Sequence, residues 1–228
     1  MRISPESTTV QIVLIGKFKP AVFAPEWLAG NELIGKADGK GAEVRIVHEA
    51  IADISLDWCR LIVTQEKFIL SSNEGPWVRL LDFCLKLFVE LLPDTPLTRL
   101  GINRVVVFDS GSMKQKDRLG RLLAPRNVWG EWGEVLEKDA GVGASGLSSL
   151  SMRQGHDLND RKHGYIEARV GPERETFVQV AINDHYECSE EREDINASEM
   201  MELLATNFEK SLRRSDWIVD GIMAQVKA

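Results

Sequence analysis

The least ordinary segment of the sequence is residues 121–133, where Trp129 and Trp132 follow two arginines. Tryptophan in an irregular segment suits a position where one face of the ring is buried and the other is wet. Arginine beside it can stack on the ring or grip a carboxylate or a phosphate. The two rings could also simply plug the open side of a sheet. The residues considered for a ligand or partner surface are Arg121, Arg126, Trp129, Glu131 and Trp132.

A second candidate is the pair Asp184 and His185, which Glu187 follows at the end of a predicted strand. Histidine titrates near neutral pH, so this group could serve acid–base chemistry. Strand ends also carry such residues for ordinary solvation. The sequence leaves both interpretations open, and we add Asp184 and His185 to the candidate surface.

No motif for a metal, a nucleotide or a nucleophile is supported by its context. His156, Asp157, Asp160 and His163 share one polar loop, but none of the four histidines pairs at HxxxH or HxH spacing. The glycines at 141–146 match GxGxxG, yet a strand-like segment follows them, whereas a dinucleotide-binding loop opens a helix. The sequence has no Walker loop and no GxSxG elbow. We therefore expect no cofactor and no metal.

Composition limits the class of protein. The 228 residues include 28 basic and 35 acidic side chains, and the net charge is −7. A hydrophobic fraction of 43% is typical of a globular domain and excludes disorder throughout. The acidic balance argues against a nucleic-acid partner, because proteins that bind nucleic acids usually show a basic field. That alternative would need the basic side chains of Lys17, Lys19, Lys36, Lys40 and Arg45 to gather into one patch.

The sequence predicts a cytoplasmic protein without a membrane partner. Its N-terminus has no apolar run behind a basic start, so a secretory signal is not predicted. The apolar stretch at 77–92 is interrupted by four charged residues and is too short to span a bilayer. The three cysteines are an odd number without CxxC spacing, which fits reduced thiols rather than a disulfide framework.

Hydrophobic periodicity predicts the strands that would carry these residues. Residues 18–41 are expected to be irregular because prolines and glycines punctuate them, and 109–140 to hold one short helix. A half-buried strand is expected at 43–48. The predicted strands are 9–17, 43–48, 61–64, 67–70, 99–108, 143–152, 165–170 and 176–183.

Two long helices are predicted. The first covers 76–92, with Pro76 at its first position and a polar stripe formed by Arg79, Asp82, Lys86 and Glu90. The opposite, buried side would carry Leu81, Cys84, Leu85 and Phe88. The second helix is terminal: Asn196 can cap it, Glu199 matches a capping box, and a buried stripe follows at Met201, Leu204, Phe208 and Leu212.

These elements predict an α+β fold. The strand, loop and helix at 61–92 are echoed at 176–214, so two pseudo-duplicated halves could share one sheet. We expect a single domain, residues 1–228, in which a largely antiparallel mixed sheet has both long helices packed on one face.

Three segments carry a resemblance. They are 101–104 after the first helix, the tryptophan segment from Ala124 to Gly133, and 177–186 before the terminal helix. Together they resemble a sporadically distributed family of uncharacterised bacterial proteins of about this length. The resemblance covers most of the chain. It implies a bacterial protein with a mixed α/β fold, and no activity, substrate, cofactor or catalytic residue.

The expected function is that of a non-enzymatic binding or assembly protein of the bacterial cytoplasm. One alternative is an enzyme of unrecognised type, with a cleft between 121–133 and the strand end at 184–187. A second is a nucleic-acid-binding accessory protein. Because the terminal helix stays apolar as far as Met223, we also expect a homodimer through this helix, anchored by Trp217. The competing interpretation is that the tail folds back on its own sheet.

Overall fold

The structure is a computed structural model that describes residues 3–138, 146–155, 158, 161, 163–187 and 196–227. Within them, nine strands form one antiparallel sheet in the order β2-β3-β4-β5-β1-β6-β9-β8-β7. The strands are β1 (Ser7–Gly16), β2 (Glu43–Val47), β3 (Ile51–Ser55), β4 (Arg60–Thr64), β5 (Lys67–Ser72), β6 (Leu97–Asp109), β7 (Leu150–Gln154), β8 (Gly164–Pro172) and β9 (Phe177–Glu187).

Six α-helices are described alongside the sheet. They are α1 (Pro25–Gly30), α2 (Lys36–Gly41), α3 (Val78–Leu85), α4 (Met113–Leu123), α5 (Gly130–Lys138) and α6 (Ala197–Lys227). Short 3₁₀ turns, Pro20–Val22 and Arg126–Trp129, precede α1 and α5, and a π-helical turn over Lys86–Leu91 extends α3. None of the helices in the described part of the chain combines the length and the apolar character that crossing a membrane requires.

The predicted α+β class with a largely antiparallel sheet is confirmed. β1 and β6 pair antiparallel at the centre of the sheet. Outward from β1 the order is β5, β4, β3, β2, and outward from β6 it is β9, β8, β7. Each half therefore runs from a central strand through short helices and a meander of strands to a closing helix, α3 or α6. Both closing helices contribute to one core over the same face of the sheet.

The first long helix differs from its prediction at both ends. Helix α3 begins at Val78 rather than at Pro76, and Phe88 lies in its π-helical extension. Leu81 and Leu85 are only half-buried, which corrects the prediction. The buried residues keep the i, i+3, i+4, i+7 spacing of a helix, but the buried face is turned by one residue from the predicted one. The buried set of this helix is Leu80, Phe83, Cys84, Leu87 and Phe88.

The segment 18–41 is helical, which corrects the expectation of irregular structure. Pro20 and Pro25 stand at the first turns of a 3₁₀ turn and of α1. Proline suits that position because its missing N–H would have no helical partner there. The prolines thus start helices instead of interrupting them. The segment 109–138 holds α4, a 3₁₀ turn and α5, where one short helix was predicted for 109–140. Ser112 Oγ caps α4 by accepting the Gln115 N–H.

The edge strands also differ from their predictions. β2 is an edge strand whose Val44 and Ile46 are 47% and 44% exposed, so it is not half-buried. β3 was not predicted at all. The strand predicted at 143–152 is described only as β7, which begins at Leu150, and 143–145 lie outside the described residues.

Helix α6 joins the two halves. The Asn196 side chain caps it, accepting the Glu199 N–H at 2.9 Å, and the helix continues through residues 215–216 without a break. Its first part enters the core with α3, and its last part enters a second core over β6, β8 and β9. Between the two cores its inner face is polar and buried, at Asn207, Ser211 and Ser215.

Candidate functional site

The tryptophan segment lies on the surface beside α4. Trp129 ends the 3₁₀ turn and Trp132 lies in the first turn of α5. Their rings meet edge to face with centroids 5.4 Å apart, and the two residues are 54% and 57% exposed. The rings therefore contact each other at the surface and do not plug the core. With Val128 and Val135, which are 74% and 51% exposed, they form what we call the tryptophan surface.

The two arginines of the segment are engaged in a frame of ion pairs. Arg121 Nε donates to Asp117 at 2.7 Å and also pairs with Glu137. Arg126, whose side chain is only 9% exposed, pairs with both carboxylates and donates to the Leu136 carbonyl at 3.0 Å. The hydrogen bond from Arg121 lowers the pKa of Glu137. Both arginines thus tie α4 to α5 and do not project as grips for an anion.

A cleft of about 180 Å³ opens behind the two rings. Helix α5 packs closely against the 3₁₀ turn that precedes it, since a Cβ on Gly133 would lie 2.0 Å from the carbonyl oxygen of Arg126. Glu131 and Glu134 are exposed on α5 and have no ion pair with another described residue. The cleft is lined by Gly120, Ala124, Arg126, Trp129, Trp132, Leu136, Gly146, Leu147, Ser148 and Ser149.

Asp184 lies on the helix-facing side of the sheet, where it is 1% exposed. Arg161 Nη1 is 2.5 Å from one of its carboxylate oxygens, and Arg214 Nη1 is 2.9 Å from the other. The Arg161 guanidinium also covers the Tyr186 ring at 3.7 Å and donates to the His185 carbonyl at 2.8 Å. Both oxygens of this carboxylate are thereby used in holding α6 and residue 161 to the sheet.

His185 points to the opposite face, because neighbouring residues of a strand alternate. Its ring stacks on Tyr165 with centroids 4.5 Å apart, and Nε2 is 2.9 Å from Glu187. Arg153 covers the other side of Tyr165 at 3.8 Å. Asp184 and His185 are thus adjacent in sequence but do not share a site.

The structure keeps the two candidate groups apart. None of residues 184–187 lines the cleft behind Trp129 and Trp132. Sequence reasoning missed Arg161 and Arg214 as partners of Asp184, because ion pairs that join distant parts of a chain leave no local pattern. A polar residue in the apolar phase of a strand, as Asp184 is in β9, was the available signal.

Metal and thiol chemistry find little support in the described residues. No three His, Cys, Asp or Glu side chains among them are placed to share a metal ion. Of the candidate loop, His156, Asp157 and Asp160 lie outside those residues. Cys59 is buried, and burial raises the pKa of its thiol to about 12. Burial raises the pKa of the Cys84 thiol as well. Neither thiol is placed to react as a nucleophile.

Comparison with known proteins adds no family. The sequence matches no protein-family model, and no curated protein is significantly similar to it. The fold and the site define an α+β protein with a preformed tryptophan surface.

Proposed function

We propose that this chain is a non-enzymatic binding or assembly protein of the bacterial cytoplasm, and that it binds a protein partner at the tryptophan surface. The observation that carries the proposal is the contact between Trp129 and Trp132 while each is more than half exposed. Tryptophan is enriched among the residues that dominate interface energy. Exposed apolar side chains that adjoin one another are typical of interaction sites.

The charged frame beneath the rings supports this proposal. Asp117, Arg121, Arg126 and Glu137 fix the two helices that carry the tryptophans. Binding by a surface that is already ordered loses less conformational entropy than binding by a mobile one. The frame therefore favours recognition by contact over chemistry by the arginines.

The size of the cleft supports a protein partner over a metabolite. Its volume of about 180 Å³ is smaller than the roughly 300–1,000 Å³ of small-molecule pockets. A cleft of that size suits one apolar side chain of a partner, inserted between the rings and Leu136. Glu131 and Glu134 are exposed on α5, the helix that carries Trp132, and their carboxylates would favour a partner segment that also carries basic residues.

The two alternatives have less support. An enzyme with a cleft between 121–133 and 184–187 is disfavoured because none of residues 184–187 lines the cleft behind the tryptophans. In addition, both carboxylate oxygens of Asp184 are in ion pairs with Arg161 and Arg214. A nucleic-acid accessory role is disfavoured because its basic residues are dispersed. Lys17 and Lys19 line one cleft, Lys36 lines another, and Arg45 lies near the carboxylates of Glu43 and Asp53.

The proposal is tested by replacing Trp129 and Trp132 with alanine together. Proteins recovered with the intact chain from expressing cells are identified by mass spectrometry, and the purified partner is titrated by calorimetry. We expect the double variant to bind at least about 30-fold more weakly, the loss that follows from removing a hot spot of about 2 kcal/mol. The melting temperature should not change, because both rings are exposed.

The control for that experiment is Met152→Ala, which removes an apolar side chain that is 70% exposed on β7 and has no part in either proposed interface. It should leave the affinity for the partner intact. Equal binding by the double variant and the intact chain, or loss of binding in Met152→Ala alone, would contradict the proposed surface.

We also propose a homodimer through α6 as a second mode of association. Val219, Met223 and Val226 are buried in the chain's own second core, so much of the apolar tail is used internally. Trp217 remains as the exposed anchor. Light scattering at micromolar concentration should detect a dimer in the intact chain and a monomer in Trp217→Ala. A monomeric intact chain would refute this second mode and leave the tryptophan surface untouched.

A further inference from the structure

A second cleft, of about 530 Å³, lies between α3 and the α1–α2 segment on the other half of the molecule. This volume falls within the range of roughly 300–1,000 Å³ that small-molecule sites occupy. Leu33, Ile34 and Phe83 give it an apolar lining, and Ile34 and Phe83 are 6% and 4% exposed. The polar stripe of the first long helix, including Arg79 and Lys86, forms one of its walls.

Arg79 is held in an orientation that suits a planar anion. Its guanidinium lies 4.1 Å from the ring centroid of Trp58, and Trp58 in turn meets Phe83 edge to face. Arg79 has no ion pair with another described residue. Stacking fixes the plane of the guanidinium and leaves its N–H edge open to solvent. Such an edge matches a carboxylate, to which it can donate two parallel hydrogen bonds.

The opposite wall of the cleft is held in place. Lys86 Nζ donates to the backbone carbonyl of Glu32 at 3.1 Å, which ties α3 to the turn after α1. Within that turn the Leu33 N–H donates to the Leu28 carbonyl at 3.0 Å, and Asn31 Nδ2 donates to the Trp27 carbonyl at 2.8 Å. The cleft is therefore formed before a ligand arrives, which lowers the entropic cost of binding.

The charged side chains of the cleft balance one another, with three basic and three acidic residues in its lining. Lys86 lies 3.8 Å from the Glu32 carboxylate, and Asp38 accepts the Gly35 N–H at 3.3 Å. Arg79 and Lys36 have no ion pair with a described residue, and Asp38 and Asp82 are the two carboxylates that remain in the lining. These charges balance, so the preference for a carboxylate depends on the stacked guanidinium of Arg79 and not on a net charge of the cleft.

We propose that this cleft binds a small carboxylate with an apolar or aromatic body. The carboxylate would lie against the N–H edge of Arg79, and the body would pack on Leu33, Ile34 and Phe83. This site is independent of the tryptophan surface and would give the binding protein a small-molecule ligand as well as a protein partner.

Phenylacetate is a suitable probe, and its neutral amide, phenylacetamide, is the matched control ligand. Titrations are followed by the indole N–H resonance of Trp58 in two-dimensional NMR, assigned with Trp58→Phe. We expect phenylacetate to shift this resonance and to bind at least about tenfold more tightly than the amide, because a charge-assisted hydrogen bond is lost. Equal binding of both ligands would contradict the carboxylate site.

Arg79→Gln should weaken phenylacetate binding at least about tenfold, and Arg79→Lys should not restore it fully, because an ammonium cannot present a planar pair of donors. Arg213→Gln, which changes an exposed arginine of α6, should leave the affinity intact. Unchanged melting temperatures show that the variants are folded. The proposal is overturned if Arg79→Gln binds as the intact chain does, or if phenylacetate up to about 10 mM fails to shift Trp58.

Discussion

Replacing Phe88 by alanine is expected to lower the free energy of unfolding by about 3–5 kcal/mol. The Phe88 ring is completely buried in the core that the sheet shares with α6. It meets Phe68 edge to face at 5.1 Å and Phe18 at 6.2 Å. Removing the ring destabilises the folded state in two ways. The protein loses the transfer free energy of the buried ring, and a cavity remains in the core that the surrounding elements fill only in part. Urea denaturation should show a lower midpoint with an unchanged slope.

The matched control is Val89→Ala, one residue further along the same helical turn. Val89 is 45% exposed, so its truncation should change the free energy of unfolding by no more than about 0.5 kcal/mol. A Phe88→Ala midpoint equal to that of the intact chain would mean that the helix is peripheral, and the packing described above would be wrong.

Long elements with a strong apolar period could be predicted from the sequence. The stripe of Met201, Leu204 and Phe208 on α6 is buried as expected. Arg104 lies on the same face of β6 as Val106, as the alternation of a strand requires, and its Nη1 lies 2.8 Å from Asp216 on α6. In these elements burial follows the period of the backbone, so the pattern of residues is sufficient.

Short helices and surface placement could not be predicted in this way. Helices α1 and α2 have six residues each, too few for an apolar period to emerge, and proline starts α1 while glycine ends both. The exposure of Trp129 and Trp132 also depends on tertiary structure, because Arg126 occupies the buried position beside them. The sequence alone does not show whether the tertiary structure buries the arginine or the tryptophans of this segment.

The candidate pair Asp184 and His185 shows the same limit. The strand was predicted to end at residue 183, so both residues were read as belonging to a strand end. β9 in fact continues to Glu187, and its alternation sends Asp184 inward and His185 outward. Asp184 occupies an inward position of β9 that would otherwise hold an apolar residue. It is stabilised there by Arg161 and Arg214, which come from other parts of the chain and could not be identified from the local sequence.

Replacing Asp184 by asparagine is expected to destabilise the chain by about 3–5 kcal/mol, the usual cost of breaking a buried ion pair by removing one partner. The change keeps the shape of the side chain but removes the charge that Arg161 and Arg214 both contact. The Arg161 side chain is only 3% exposed, so water cannot readily replace the carboxylate. Urea denaturation measures the loss.

Asp53→Asn is the matched control for this variant, because it removes a carboxylate from a partly exposed pair on another strand. Asp53 pairs with Arg60 at 2.7 Å, and the Arg60 side chain is 40% exposed. Its loss should cost no more than about 1 kcal/mol. If Asp184→Asn lowers the free energy of unfolding as little as the control does, the ion pairs of Asp184 with Arg161 and Arg214 do not stabilise the fold. If instead Arg161→Met restores stability to Asp184→Asn, the cost of that variant is the charge left in the interior.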